Sequence, residues 1–133
     1  VLALIGYNLI FSAKETINPE NPSLTAWMLD VSRRDIQLPV DITEHNIVNS
    51  SFWHGFGDFE IIIQIKCDAT TVRKYRNKCI DKFSKTEKEE VPDKFRNVDY
   101  GIQFEHAVPP SVSYKILFSD TDHSSILIRT VKG

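Results

Sequence analysis

Cysteine is scarce in this chain, with two residues in 133, Cys67 and Cys79. That is too few for a disulfide framework. A strand ending at Cys67, followed by a helix carrying Cys79, sets the two well over ~10 Å apart at ~1.5 Å rise per residue, and a bridge tolerates about 7 Å between Cα atoms. Two free, buried thiols are expected. Positive charge is not in excess either: 16 Lys and Arg face 18 Asp and Glu, for a net charge of −2. A general pull toward nucleic acid needs a clustered excess of basic groups, so none is expected. A partner that is itself basic remains compatible with this balance. Long apolar runs are missing as well. Residues 1–11 are apolar but fall well short of the ~20 needed to cross a bilayer. They read as a buried strand or helix, as the remnant of a membrane anchor or signal segment, or as a partner-binding strand. In the anchor reading the domain begins near Ser12 and works beside a membrane.

The signatures of common chemistries are also lacking. The chain has no CxxC, HExxH, GxSxG, P-loop or GxGxxG. Both cysteines fall on apolar faces, where a thiolate is disfavoured, so neither is expected to be a nucleophile. Asp120-Thr121-Asp122-His123 opens like a calcium loop, but Val131 stands where an EF-hand needs its Glu. Side chain to backbone hydrogen bonds in a turn account for that segment. His45, His54, His106 and His123 are the acid–base candidates. His54 and His106 with Lys66 can be drawn as a two-histidine phosphodiester centre, but no spacing singles them out, and surface or turn positions are expected. The sequence therefore predicts no catalytic residue, metal site or cofactor.

What is present describes one folded domain spanning 1–133. The 41% hydrophobic and 26% charged residues are ordinary for a globular chain of this length. After a turn cluster at 18–23, Ser23 is expected to cap a helix carrying Trp27, Met28 and Val31, stopped before Pro39. Phe59, Ile61, Ile63, Ile65 and Cys67 alternate with Glu60, Gln64 and Lys66, the period of a half-buried strand. Residues 45–52 form its hairpin partner. Asp68 caps a second helix running to Phe83, with an apolar stripe of Val72, Tyr75, Cys79, Ile80 and Phe83. The charged stretch 84–93 has no apolar period and reads as loop. After Pro109-Pro110, Val112, Tyr114, Ile116 and Phe118 alternate, then turn through 119–124 into Ile126, Ile128 and Thr130. The expected fold is α+β, a two-layer sandwich with an antiparallel sheet of four or more strands, built from two hairpins, and a helix on one face. The other face, with Glu60, Gln64, Lys66 and Lys115, is expected to stay in water.

Two surfaces draw attention as candidate partner-binding sites. One is the turn Trp53-His54-Gly55-Phe56-Gly57-Asp58-Phe59, where three aromatics surround two glycines and Trp53, His54, Phe56 and Asp58 are the candidate contacts. The other is the acidic stretch Glu87, Glu89, Glu90 and Asp93, which suits steering of a basic partner. His54-Gly55-Phe56-Gly57-Asp58, followed by a strand, a helix and a hairpin ending in Asp120-Thr121-Asp122, resembles a group of small bacterial α+β proteins, exported or membrane-anchored, with an H-G-G-F-x-G-D-G-like turn. Here the turn is one residue shorter, and Phe59 stands where the last Gly would be. The resemblance covers about the last 85 residues and implies fold more than function. By class, small bacterial α+β domains without catalytic equipment also resemble toxin-immunity proteins. The expectation is a non-enzymatic protein-binding module, most simply an immunity protein that neutralises a bacterial toxin of nuclease type. It would act in the bacterial cytoplasm or at the inner membrane, where the apolar N-terminal run would be its link to the bilayer. The alternatives are a small hydrolase or nuclease using His54 and Asp58, or an envelope-associated structural domain.

Overall fold

In the computed structural model, which describes residues 16–17 and 22–133, seven strands form one antiparallel sheet. In chain order they are β1 (Thr16–Ile17), β2 (Ile47–His54), β3 (Phe59–Lys66), β4 (Ser84–Thr86), β5 (Tyr100–Val108), β6 (Val112–Ser119) and β7 (Ser125–Lys132). Across the sheet the order is β1-β2-β3-β7-β6-β5-β4. Two helices, α1 (Pro22–Arg33) and α2 (Ala69–Lys82), pack on the same face. This is the α+β antiparallel sandwich that the periodicity predicts. The apolar run 1–11 lies outside the described residues.

The sheet's inner face is set by register. Ile63 lies opposite both Ser50 and Ile128, Ile128 opposite Ile116, and Ile116 opposite Phe104. One step along, Ile65, Ile126 and Phe118 form the next row, and Ile61, Thr130 and Tyr114 the row on the other side. Side chains of directly opposed residues touch, so five strands present one continuous apolar floor to the helices. β5 was not expected from the sequence. Its Ile102, Phe104, His106 and Val108 do alternate with Gly101, Gln103, Glu105 and Ala107, but the charged stretch before it and the Pro109-Pro110 pair after it mask the period. β4 pairs with β5 at the sheet's edge, so the start of the 84–93 stretch is strand and not loop.

The helices start where the sequence supplies a start. Asp68 accepts a hydrogen bond from the Thr71 backbone N–H at 2.9 Å and from its hydroxyl at 2.7 Å, the N-cap of α2. α1 begins at Pro22, so Ser23 lies inside the helix and is not its cap; proline's fixed φ suits the first helical position. It ends at Arg33, short of Pro39, because Gln37 turns into the left-handed region at φ +52°, its N–H donating to the Arg33 carbonyl. Lys78 and Lys82 of α2 hydrogen-bond Gln37 and hold that corner. The Tyr75 hydroxyl donates to the Ile36 carbonyl at 2.7 Å, and the Tyr114 hydroxyl to Asp35 at 2.7 Å. Both buried phenols are thereby satisfied, and burial pushes both well above the ordinary tyrosine pKa.

The second face is not left in water. Residues 89–99 cross it as a strap, from β5 to β2 and back. The Glu89 N–H donates to Gln103 on β5, Lys94 donates to the Ser50 carbonyl on β2, and Asn49 donates to the Lys94 carbonyl at 2.7 Å. Val91 and Phe95 of the strap, with Tyr100 just beyond it, cover Ile62, Leu117 and Leu127 in a second, smaller core. Gln64, expected to be wet, is 1% exposed. Its amide donates to the Tyr100 hydroxyl at 2.8 Å and to Asn97 at 3.0 Å. Lys66 is exposed, as its outward position predicts.

Two measurements check this arrangement. Ile63→Asp places an unpaired carboxylate in the main core and should cost on the order of 3–5 kcal/mol in a urea titration. Gln64→Ala should also be costly, about 1–3 kcal/mol, because it removes the buried amide that donates to the Tyr100 hydroxyl and to Asn97. An effect of Gln64→Ala near zero would show that the strap does not seal this face. Cys67 and Cys79 are both free thiols. Burial pushes the half-buried Cys67 up and Cys79 up to about 12, so at neutral pH alkylation should label Cys67 slowly and Cys79 only after unfolding.

Candidate functional site

The aromatic turn separates into unlike parts. The β2–β3 connection is a tight turn in which the Gly55 N–H donates to the Asp58 carbonyl at 2.9 Å. Gly57 takes φ +77°, with open space where a Cβ would stand, so glycine is required there by the backbone and not by crowding. This geometry throws Phe56 into solvent at 78% exposure. Trp53 and Phe59 are half-buried, and Phe59 packs against the main core. His54 is fully buried beside Phe52, and neither ring nitrogen has a hydrogen-bond partner among the described residues. A ring with no solvent access and no orienting partner cannot contact a protein partner or take a substrate proton. The binding and catalytic roles expected of His54 therefore have no geometric basis. Asp58 is half-buried in the turn.

The acidic stretch is mostly engaged within the molecule. Glu89 pairs with Lys115 and sits 3.6 Å from Arg129, which also grips Glu60 at 2.7 Å. Glu90 and Asp93 share Arg96 at 2.7 and 2.5 Å. Of the four acids, Glu87 alone makes no ion pair among the described residues. Of this group Glu89 alone fastens the strap to the sheet, while Glu90 and Asp93 pair with Arg96 inside the strap and stay exposed.

A site that the sequence does not single out lies along α2. Ala69, Val72, Arg76 and Ile80 follow one another at three- and four-residue steps, so they line one stripe of the helix. Between this stripe and the sheet runs a groove of about 490 Å³, floored by Val72 and Phe118 and ended by His123 in the β6–β7 turn. A second hollow of about 280 Å³ continues it past Phe83, Ile102 and Phe104 to Lys85 on β4, and the two share Arg76 and Ile80. The larger falls within the ~300–1,000 Å³ of ordinary binding sites, which are mainly apolar with a few polar groups. Ile80, expected within the core stripe, is instead 56% exposed on the rim, because the sheet falls away from the helix there. Arg73, Arg76 and Lys85 make no hydrogen bond or ion pair among the described residues, and no carboxylate lines either hollow.

Of the groove's polar side chains, Ser119 and the neighbouring Asp122 serve the β6–β7 turn, and His123 stands exposed at its end. Ser119, on its wall, accepts hydrogen bonds from the Thr121 and Asp122 backbone at 3.1 and 2.9 Å, the state of a turn-holding hydroxyl and not of an activated nucleophile. Asp122 is committed to the same turn. Hydrogen bonds from the Ser124 hydroxyl and N–H, with a further one from Ser125, hold its carboxyl below the usual range. The calcium-like spelling of 120–123 is thus a turn, and among the described residues no cluster of three His, Cys, Asp or Glu is placed to hold a metal ion. No helix of the described residues is long and apolar enough to cross a membrane. No protein family, curated protein or solved structure matches this chain.

The division of labour within the acidic stretch can be measured. Glu89→Lys sets a third positive charge beside Lys115 and Arg129 and should lower stability on the order of 1 kcal/mol, whereas Glu87→Lys should change it by less than about 0.5. Equal effects in parallel denaturation would mean that Glu89 contributes nothing to holding the strap.

Proposed function

We propose that this domain is a non-enzymatic protein-binding module, and that its contact surface is the face of α2. The observation that supports this reading is the groove itself: an apolar floor, an exposed Ile80 and guanidinium groups that make no ion pair among the described residues. Exposed apolar side chains beside Arg are the usual makings of an interface centre. The rim is basic, so the partner surface that fits it is acidic. Occlusion of a bacterial toxin by an immunity-type protein is the biological form we propose. The surface covered on the toxin would then be acidic, unlike the basic nuclease that the acidic stretch suggested. Phe56, alone at its turn, offers a second and smaller contact.

Site-specific photocrosslinking in cells of the source organism tests this. A photoreactive residue placed at Ile80 should capture one protein in high yield, and the same residue at Glu87 should capture little. Capture at Phe56 alone would move the surface to the β2–β3 turn. No capture at any of the three positions, together with hydrolytic activity in the purified domain, would overturn the binding reading.

A further inference from the structure

The groove's form narrows what occupies it. α2 has 14 residues, so at ~1.5 Å per residue the lined stripe extends for about 20 Å. Its apolar floor is continuous from Val72 and Phe118 to Ile102 and Phe104. Its cations are not gathered at one end, as a single head group would require, but spaced along the rim at Arg73, Arg76 and Lys85. Both hollows open to solvent along their length, whereas a small-molecule site buries most of its ligand. An extended chain of about six residues spans ~20 Å and points alternate side chains to opposite sides, toward a floor and a rim. Asp81, the one carboxylate on α2, is not among the groove's lining residues, so the charged side chains that line it are all basic. Resting on the protein-binding reading, we infer that the groove takes an extended segment of a partner protein in which Leu, Ile or Phe side chains interleave with Asp or Glu. The apolar side chains fill the floor, and the carboxylates meet Arg73, Arg76 and Lys85 in bonds that Arg can make bidentate.

A randomised octapeptide display library panned against the folded domain tests this, followed by amide chemical-shift mapping with the enriched peptides. Enrichment of acidic residues interleaved with apolar ones is expected, with shifts concentrated at Val72, Arg76, Ile80 and Phe118. Affinity should fall as salt rises. Arg76→Glu and Ile80→Asp, both at solvent-facing positions, should each weaken binding about tenfold or more with the fold retained. Failure to enrich any peptide, enrichment of neutral or basic peptides, or shifts mapping to the strap or the Phe56 turn would overturn the inference. So would oleate producing the same shifts at lower concentration than any selected peptide, since the groove would then be a lipid site. The two readings fail separately. A protein captured at Ile80 in cells, with no acidic preference in the library, leaves the binding module standing and removes the acidic segment. Absence of any captured protein, together with hydrolytic activity in the purified domain, removes both.

Discussion

Strand β3 is enclosed on every side, and the rest of the chain is arranged to enclose it. Its backbone is bonded to β2 on one edge and β7 on the other. Ile61, Ile63 and Ile65 point to the helices, while Ile62 and Gln64 point to the strap. A strand buried on both faces forces two coverings, and a chain of this size has few residues to spend on them. The helices supply one, with α2 capped at Asp68 directly after the strand ends. The other falls to a mostly irregular segment with one short 3-10 turn at Asp93–Phe95, and outside that turn its polar groups are met one at a time, by Gln103, Asn49, Ser50 and Gln64.

That economy explains which parts of the fold are legible in the sequence. The 59–67 alternation, the Asp68 cap and the terminal hairpin each rest on a local signal, and each stands where the signal puts it. The inner face of the sheet is legible for the same reason. The strap is not, because a run such as Glu87-Lys88-Glu89-Glu90 looks like solvated chain until Lys115 and Arg129 are known to lie beneath it. Gln64 deceives in the same way: a polar residue on the outward side of an alternating strand reads as wet unless its partner, Tyr100, can be foreseen. Ile80 fails in reverse, since the helical stripe that correctly buries Val72, Tyr75 and Cys79 says nothing of where the sheet runs out. The groove depends on that last fact, so it has no signature in the order of residues. The only hint is compositional, an excess of Lys and Arg within 73–82.

Charge is divided between the two sides of the sheet in a way the net value conceals. Acidic side chains of the strap, with Glu60, are largely neutralised by Lys115, Arg129 and Arg96. On the helical side, Arg73 and Arg76 have no such counter-charge among the described residues. A molecule of net charge −2 therefore shows a positive face to anything approaching α2. The field an approaching molecule meets there is set by these local charges and not by the isoelectric point.

The strap has a further consequence for how the molecule opens. It is held by ion pairs, side chain to backbone hydrogen bonds and a handful of apolar contacts, none of them part of the sheet ladder. Such a segment can detach while the ladder survives, at a free energy below that of global unfolding. Its backbone amides should then exchange with solvent faster than those of β3 and β7, and a protease should cut first around Lys88. Detachment uncovers Ile62, Leu117 and Leu127 side by side on a flat sheet face. Under high salt, where the pairs of Glu89 are screened, that face becomes the surface through which two partly opened molecules would stick together.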